Sequence, residues 1–275
     1  MSTEEERYYQ TNGVQIHAVM WEKADSDATP LVILHGMWES WHTFARLAPR
    51  FAQKRMVYAL DLRGHGASDK PAKGYRLQDY AADVLGILEQ LPHHQVHLLG
   101  HSLGGLTALQ LAGERPARLA RLVLEDPPLI LEQQEAQVIS SLEQLLALKQ
   151  QPFEVIVEAL SPQFPSLEKE WIEQISRDLI NTADGTFLAV ISGEFVTREQ
   201  LRLGWSQLLA RITIPTLVLA GDPAVGGWMG EVQHKLVRDA LPSAQLVDFP
   251  GCDHHIEAAS PDAFVATVEG FLEAA

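Results

Sequence analysis

The chain has 275 residues, 46% of them hydrophobic and 21% charged, which are ordinary values for a folded globular protein and exclude a collagenous or disordered chain. Its 36 acidic and 21 basic residues give a formal net charge of −15. Because so acidic a surface repels phosphate backbones and anionic lipids, we expect a small-molecule partner, with no nucleic acid and no membrane as partner.

The first predicted element is an antiparallel hairpin. Tyr8–Thr11 and Val14–Glu22 have strand-like composition, and the pair Asn12 and Gly13 separates them. Asn-Gly tolerates the positive φ angles that a two-residue hairpin turn requires. The N-terminal region is therefore predicted to pair two strands.

Six short apolar runs follow, each typical of a strand that is buried on both faces. They are Leu31–Leu34, Met56–Leu60, Val96–Leu99, Leu122–Leu124, Leu217–Ala220 and Leu246–Phe249. Stretches with helical spacing of apolar residues lie between them, at Leu77–Leu91, Leu103–Gly113, Glu231–Leu241 and Pro261–Leu272. This alternation predicts an α/β fold with a parallel sheet.

The alternation stops between the fourth and fifth of these runs. Residues 128–212 contain amphipathic helical patterns and no buried-strand pattern. A segment of this length is too long for a structureless loop in a compact domain, and Pro152, Pro162 and Pro165 would divide it into several helices. We therefore predict a helical insertion over 128–212, with the α/β domain formed by 1–127 and 213–275.

The strongest chemical motif is the run from Gly100 to Gly104, which reads GHSLG and fits G-x-S-x-G. In this motif the serine stands on a tight turn between a strand and a helix, and the glycines allow close approach of the neighbouring backbone. A predicted strand precedes Ser102 and a predicted helix follows it, so the context is the one that the motif requires. Ser102 also faces a helix N-terminus, which favours developing negative charge.

Four blocks together resemble the α/β-hydrolase superfamily, in particular its cap-bearing esterase and lactonase branch, over nearly the whole chain. They are HGMW at 35–38, DLRGHGAS at 61–68, GHSLGG at 100–105 and GCDH at 251–254. The resemblance implies a mostly parallel eight-stranded sheet with flanking helices and a helical cap, or lid, inserted after strand six. It also implies that Ser102 is the nucleophile of a Ser-His-acid triad and that the backbone N–H groups of Met37 and Leu103 form the oxyanion hole. Trp38, within the first block, is expected to contribute to an apolar substrate site.

A serine hydroxyl needs a histidine to accept its proton and a third group to orient that histidine. Of the eleven histidines, His254 follows the last strand and a turn at Gly251, precedes the closing helix, and comes after the serine as hydrolase chain order demands. His255 would project elsewhere, towards the pocket or a loop. His35 and His101 belong to motif loops and are expected to be structural.

The acid departs from the common pattern of the family. Relatives usually place it at the last position of G-x-x-D after the strand that matches Leu217–Ala220, and here Ala224 stands at that position. Asp126 is our preferred acid, since some relatives carry it after the preceding strand at a similar separation from the nucleophile. The alternatives are Asp222, which could reach from the turn after the later strand, and then Glu125, Asp253 or no acid at all.

Neither a cofactor nor a metal is expected, because no H-E-x-x-H or paired cysteine and histidine pattern is present. Cys252 is the single cysteine and is interpreted as a packing residue, so no intramolecular disulfide is expected. The N-terminal MSTEEERYYQ lacks the charge and apolar run of a secretory signal, and no apolar run approaches the ~18 residues of a membrane span. We expect a cytoplasmic protein that is a monomer or a homodimer.

These features predict a serine hydrolase of small to medium, mostly neutral carboxylic esters or lactones, acting through an acyl-enzyme. Carbon–carbon bond hydrolysis, cofactor-free haloperoxidation and hydroxynitrile cleavage use the same triad and remain alternatives, as does acyl transfer to an alcohol. A ligand receptor with weak catalysis is the alternative from another class, since the usual acid is missing. Epoxide hydrolases and haloalkane dehalogenases need an aspartate nucleophile, which Ser102 excludes.

Overall fold

The computed structural model describes residues 4–22, 27–114, 116–129, 134–164, 167–196 and 198–274, with the backbone alone at 116 and 198–203. The strands are β1 (Glu4–Thr11), β2 (Val14–Trp21), β3 (Leu31–Leu34), β4 (Val57–Leu60), β5 (Val96–His101), β6 (Leu119–Glu125), β7 (Thr216–Gly221) and β8 (Gln245–Phe249). The helices are α1 (Ala48–Phe51), α2 (Leu77–Gln90), α3 (Leu103–Glu114), α4 (Glu135–Leu148), α5 (Phe153–Leu160), α6 (Lys169–Asn181), α7 (Asp184–Ile191), α8 (Arg198–Leu209), α9 (Glu231–Ala240), α10 (Ile256–Ala259) and α11 (Pro261–Glu273).

The eight strands form one sheet in the order β1-β2-β4-β3-β5-β6-β7-β8. Strands β3 to β8 pair in parallel, β2 pairs antiparallel with β4, and β1 pairs antiparallel with β2. The predicted mostly parallel eight-stranded sheet is therefore confirmed. The predicted hairpin is β1 and β2, and both turn residues have positive φ, 45° at Asn12 and 77° at Gly13.

The central strands alternate their side chains between two hydrophobic layers. In β3, Val32 and Leu34 face the layer that α2 and α3 cover, whereas Leu31 and Ile33 face the layer that α1 and α11 cover. All four side chains are at most 1% exposed. Burial on both faces explains why the sequence shows continuous apolar runs and no alternation.

Strand β8 differs from the prediction of burial on both faces. It lies at the edge of the sheet, and Gln245 and Asp248 of this strand are exposed. Its run Leu246–Phe249 resembles that of a central strand because Leu246 and Val247 still pack on the two cores. An acidic residue inside the run is the sequence signal of an exposed edge.

Five helices, α4 to α8, lie between β6 and β7 along the chain. Helices α4 to α7 share a hydrophobic cluster of their own, made of Leu142, Ile156, Leu160, Ile172, Ile175, Leu179 and Phe187. Met37 and Trp38, from the loop after β3, pack against this cluster. Of the prolines expected to separate the helices, Pro152 precedes α5 and Pro162 lies in a short 3-10 turn after it, while Pro165 lies outside the described residues.

In the part of the chain that the structure describes, no helix is both long enough and apolar enough to cross a membrane.

A buried carboxyl group joins α6 to the loop after β3. Asp178 is 6% exposed, and it accepts hydrogen bonds from Ser40 Oγ (2.9 Å) and Gln174 Nε2 (3.1 Å). Burial raises the pKa of Asp178 to about 7. In the unfolded chain an aspartate ionises near pH 3.9. The unfolded state therefore binds fewer protons between about pH 4 and 7, so this group lowers stability progressively as the pH rises across that range.

Replacing Asp178 with Asn should therefore stabilise the protein at high pH. The amide can keep both hydrogen bonds without carrying a buried charge. We expect Asp178→Asn to melt at a higher temperature than wild type at pH 8, with the difference shrinking towards pH 4. Asp262→Asn is the matched control, because Asp262 has a side chain that is 94% exposed. Equal changes for the two variants at pH 8 would contradict the effect of burial.

Candidate active site

The site lies where the sheet changes its winding direction. Strand β4, which follows β3 along the chain, pairs with β3 on one side. The next strand, β5, pairs with β3 on its other side. The chain therefore leaves the carboxyl ends of β3 and β5 in opposite directions, and this change of direction is the usual place of ligand sites in α/β proteins. Met37 and Trp38 follow β3, and Ser102 follows β5.

Ser102 stands on the turn between β5 and α3 with φ of 51°. This left-handed conformation costs a residue other than glycine about 1 to 3 kcal/mol, so the surrounding structure has to enforce it. The N–H of Ser102 donates to the carbonyl oxygen of Glu125 (3.1 Å), and its own carbonyl accepts from Leu106 (3.0 Å). These bonds fix the turn between the sheet and the helix.

The two motif glycines are required by close packing. A Cβ atom on Gly100 would collide with the carbonyl oxygen of Gly104, and one on Gly104 would collide with the carbonyl oxygen of Leu34. The first turn of α3 therefore lies directly against the ends of β3 and β5. G-x-S-x-G is thus explained by backbone contacts on both sides of the serine.

His254 and Asp126 are brought together from distant parts of the chain. Asp126 follows β6, and His254 lies in the loop after β8. The Nδ1 atom of His254 is 2.6 Å from Oδ2 of Asp126. The His254 ring also packs beside that of His101, the residue before Ser102, with ring centroids 4.6 Å apart. The three predicted triad residues therefore lie in the loops after β5, β6 and β8, at the carboxyl ends of the parallel strands.

Asp126 is held by its backbone surroundings. It is fully buried and has φ of 38°. Its Oδ1 atom accepts from the N–H groups of Gly221 (3.0 Å) and Met229 (3.2 Å), and Oδ2 accepts from that of Trp228 (2.9 Å). Burial opposes ionisation, but His254 and these N–H groups outweigh it and hold the pKa of Asp126 below its usual value. The group is therefore an anion at neutral pH.

The other candidate acids have different partners. Asp222 accepts from the N–H groups of Ala224 (2.9 Å) and Gly251 (2.9 Å), so it fixes the loop after β7. Glu125 accepts from the N–H of Glu257 (2.9 Å), and Asp253 accepts from that of His255 (2.9 Å). Asp126 is the carboxylate that contacts His254.

The His254 ring is set up to accept a proton. Burial, together with the neighbouring His101, lowers the pKa of His254, while Asp126 acts in the opposite direction. The imidazole is therefore neutral at pH 7. Because the carboxylate of Asp126 can only accept a hydrogen bond, Nδ1 carries the proton and Nε2 has the free lone pair. This tautomer is the one that a general base requires.

Two backbone donors are available near Ser102. Leu103 is the first residue of α3, and Met37 lies in the turn after β3. No residue that the structure describes accepts a hydrogen bond from the N–H of either one. An unpaired N–H at a helix N-terminus attracts negative charge. The two groups can therefore receive an oxyanion.

Backbone strain concentrates in these loops. Four described residues other than glycine have positive φ, and three of them are predicted site residues: Trp38 (52°), Ser102 (51°) and Asp126 (38°). The fourth is Asn12 in the hairpin turn. A bulky residue such as Trp38 rarely adopts this conformation. Strain of this kind is typically retained where function requires it.

Aromatic side chains surround the histidines. Trp38 stacks on Phe187 of α7 with an interplanar angle of 2° and centroids 6.4 Å apart. Trp228 meets His254 edge to face at 6.3 Å, and Phe164, which follows α5, meets His255 in the same way at 5.3 Å. The helices between β6 and β7 therefore contribute directly to the surroundings of the site.

The remaining motif histidines have internal partners. His35 donates from Nδ1 to the carbonyl of Gly36 (2.7 Å) and accepts on Nε2 from the N–H of Leu62 (3.0 Å). Nδ1 of His65 lies 2.9 Å from the carbonyl of Arg63. Cys252 is a free thiol, 9% exposed. None of these groups contacts Ser102 or His254 among the residues described.

A buried cluster behind the site was not foreseen from the sequence. It contains Glu39, His101, His255, Glu257 and Glu125, each at most 6% exposed. Neither Glu39 nor Glu257 is among the residues predicted for the site. An acidic residue at 39, only two positions after Met37 in an otherwise apolar motif loop, was the available signal, because a carboxylate is rarely buried unless it is paired.

Comparison with known proteins gives a consistent result. The family described as "alpha/beta hydrolase fold" matches residues 29–256. The 2-(acetamidomethylene)succinate hydrolase of Mesorhizobium japonicum is 28% identical over 276 residues, covering 95% of this chain and 94% of that protein. A crystal structure of a hydrolase from Pseudomonas aeruginosa matches with a TM-score of 0.79 and 28% identity over 98% of this chain and 99% of that one.

A third comparison shows the fold alone. The enol-lactonase from Burkholderia xenovorans superposes with a TM-score of 0.77 at 20% identity, covering 98% of this chain and all of that one. Three proteins that match nearly end to end thus share one architecture, and each is described as a hydrolase or a lactonase.

Proposed function

Because the chain belongs to the α/β-hydrolase family and is a hydrolase, we propose that it cleaves small to medium, neutral carboxylic esters or lactones with Ser102 as its nucleophile. The observation that carries this proposal is the 2.6 Å contact between His254 and the buried Asp126, beside the strained turn of Ser102. A nucleophile, a base and an orienting acid are the three groups that acyl transfer by a serine needs.

The reaction proceeds in two halves. Ser102 Oγ attacks the carbonyl carbon while His254 Nε2 takes the hydroxyl proton, and Asp126 stabilises the imidazolium that forms. The tetrahedral intermediate collapses, the leaving alcohol receives the proton from His254, and an ester of Ser102 remains. A water molecule, deprotonated by His254, then attacks this acyl-enzyme and releases the acid.

The oxyanion is assigned to the N–H groups of Met37 and Leu103. Each preorganised donor of this kind is worth roughly 2.7 to 4 kcal/mol in the barrier. Since both are backbone groups, the side chains at 37 and 103 affect the reaction through shape alone.

The substrate class follows from the side chains around the histidines. In the described part of the chain, the side chains that make ring, hydrogen-bond or ion-pair contacts with His254, His255 or Trp38 are aromatic rings, imidazoles and carboxylates, and Trp38 also packs on the hydrophobic cluster of α4 to α7; none of the polar contacts is with a lysine or arginine. Without a lysine or arginine among these contacts, and with a net charge of −15, a strongly anionic substrate is disfavoured. This distinguishes the expected substrate from the succinate named for the Mesorhizobium relative.

We assign residues 128–212 as a cap over the α/β domain of 1–127 and 213–275. Support comes from the hydrophobic cluster within α4 to α7 and from the contact of Phe187 with Trp38. Such a cap excludes water and shapes the pocket. Trp38 is accordingly assigned to substrate binding, with its indole facing the acyl or alcohol group.

Reaction with a fluorophosphonate probe tests the proposed chemistry. We expect one probe per chain, attached to Ser102 in the peptide identified by mass spectrometry, and no labelling after heat unfolding. A series of p-nitrophenyl esters of increasing chain length, assayed beside simple lactones, then defines the substrate. Absence of labelling in the native protein, or labelling at another residue, would contradict a Ser102 nucleophile.

A further inference from the structure

The buried cluster behind the site includes one carboxylate with four partners. Glu39 is 3% exposed, and its Oε2 atom accepts from the N–H of Gly36 (2.8 Å) and from Thr43 Oγ1 (3.0 Å). Both of its carboxylate oxygens lie 3.3 Å from Nδ1 of His101. Oε1 is also 3.9 Å from Nδ1 of His255. Glu39 therefore ties the loop that presents Met37 to the residue that precedes Ser102.

His101 extends this connection to the loop that carries His254. Its ring is completely buried, and its Nε2 atom is 3.1 Å from the backbone carbonyl oxygen of His254. A carbonyl and a carboxylate can only accept hydrogen bonds. Both ring nitrogens of His101 must therefore carry protons, and the ring is an imidazolium. In agreement, burial lowers the pKa of His101 but the charge of Glu39 outweighs it, so the pKa is raised.

A second pair supports the same loop. His255 Nδ1 is 3.3 Å from Oε1 of Glu257, whose N–H donates to Glu125. Burial disfavours the charged ring, but Glu257 overcomes it and raises the pKa of His255 to about 9. Burial and the adjacent Glu257 raise the pKa of Glu125, which favours its neutral form. The cluster thus holds two cations and two anions with no net charge.

We propose that Glu39 and His101 are positioning residues, whose buried ion pair holds the Met37 loop, the Ser102 turn and the His254 loop in mutual register. This role rests on the proposed function. Acyl transfer needs the oxyanion donors, the nucleophile and the base to be aligned together. The N–H of Gly36 contacts Glu39, Glu39 contacts His101, and His101 contacts the carbonyl oxygen of His254. The pair thereby joins all three loops.

The same cluster meets the geometric condition for a metal site, because ligand atoms of Glu39, His101 and His255 lie within 4.8 Å of one another. Metal ligation requires a neutral imidazole with a free lone pair on the ligating nitrogen. The hydrogen bonds of His101 use both of its nitrogens as donors. The arrangement therefore fits an ion pair and does not fit a metal ligand.

The experiment compares Glu39→Gln and His101→Asn with the control Glu269→Gln. Glu39→Gln keeps the shape and one acceptor but removes the charge. Glu269 is 7% exposed and pairs with Arg55 at 2.8 Å, so its variant loses a comparable buried ion pair in contact with neither Ser102 nor His254. The measurements are kcat and KM for p-nitrophenyl acetate, the rate of fluorophosphonate labelling, the pH profile and the melting temperature.

We expect Glu39→Gln to lower kcat by about 100-fold, the loss typical of a 1 Å misplacement of reacting groups. KM should stay nearly constant, since the loss falls on the transition state. In His101→Asn the acid limb of kcat/KM should move to higher pH. The charged or titratable groups that face His254 are Asp126, His101 and His255, and removing the His101 cation favours a protonated His254.

Different outcomes separate the two proposals. A positioning role is overturned if both variants melt at lower temperature, as we expect of Glu269→Gln, but keep wild-type kcat, labelling rate and pH profile. Retained metal at one ion per chain, measured by mass spectrometry of the purified protein, would also overturn it. Wild-type protein that does not label at Ser102 would contradict the proposed function itself, and with it the alignment that Glu39 and His101 are proposed to maintain.

Discussion

Replacing Ser102 with Ala is expected to lower kcat for p-nitrophenyl acetate by on the order of 10⁶-fold, the loss seen when a serine nucleophile is removed. No other side chain of this turn can take its place, because Ser102 is the one residue of GHSLGG that carries a hydroxyl group. Fluorophosphonate labelling should disappear in the same variant. A residual rate from the oxyanion donors and binding should remain above that of the uncatalysed reaction.

Two further variants serve as controls for Ser102→Ala. One removes a hydroxyl group from the surface, and the other removes the backbone strain at residue 102. Ser141→Ala, on the exposed face of α4, should leave kcat within about twofold of wild type, since surface substitutions of this kind have little effect. Ser102→Gly should be as inactive as Ser102→Ala but more stable by about 1 kcal/mol, because glycine adopts positive φ without strain. An active Ser102→Ala variant would contradict the proposed nucleophile. Equal stability of the Ala and Gly variants would contradict the stored strain.

The sheet could be predicted from the sequence because its signals are local. Runs such as Leu31–Leu34 are apolar on both faces, and the helices between them have clear apolar spacing, so the order of elements was correct. The boundaries agree to within two residues at most ends, as at Val57–Leu60, whereas β1 begins four residues and β6 three residues before the predicted start. The prediction of a buried strand at β8 is wrong because its apolar residues outweigh Asp248, the one local signal of an exposed edge.

From the sequence, the carboxylate that contacts His254 could be predicted only as one of several candidates. Asp126 and Asp222 follow adjacent strands, and both could in principle reach the His254 loop. Their partners depend on the positive φ of Asp126 and on N–H groups of the loop after β7. Neither feature has a signal in the sequence, because both arise from packing between segments about 100 residues apart.

The ion pairs behind the site were missed for a related reason. Burial of Glu39 is stable only because His101, 62 residues away, supplies a compensating charge. A carboxylate in a sequence is ordinarily interpreted as a surface residue. The sequence also does not show which aromatic residues of 128–212 reach the site. Phe164 and Phe187 contact His255 and Trp38, whereas Trp171 stacks with Arg46.

Asp126→Asn is expected to lower kcat by about 10⁴-fold, as in serine proteases whose triad acid is replaced. Asp222→Asn is the matched control, since Asp222 uses one carboxylate oxygen for Ala224 and the other for Gly251. That variant loses one acceptor and should melt at a slightly lower temperature, with kcat reduced far less than in Asp126→Asn. The measurement is turnover of p-nitrophenyl acetate beside thermal unfolding.

The size of the Asp126→Asn effect follows from the donors around this side chain. Oδ1 faces two N–H groups, from Gly221 and Met229, so the single oxygen of the amide must point there. The NH₂ group then faces the N–H of Trp228 and Nδ1 of His254. Nδ1 must become the acceptor, which moves the imidazole proton to Nε2 and leaves Ser102 without a base. If Asp126→Asn and Asp222→Asn instead lost activity equally and mildly, the orienting carboxylate would lie elsewhere.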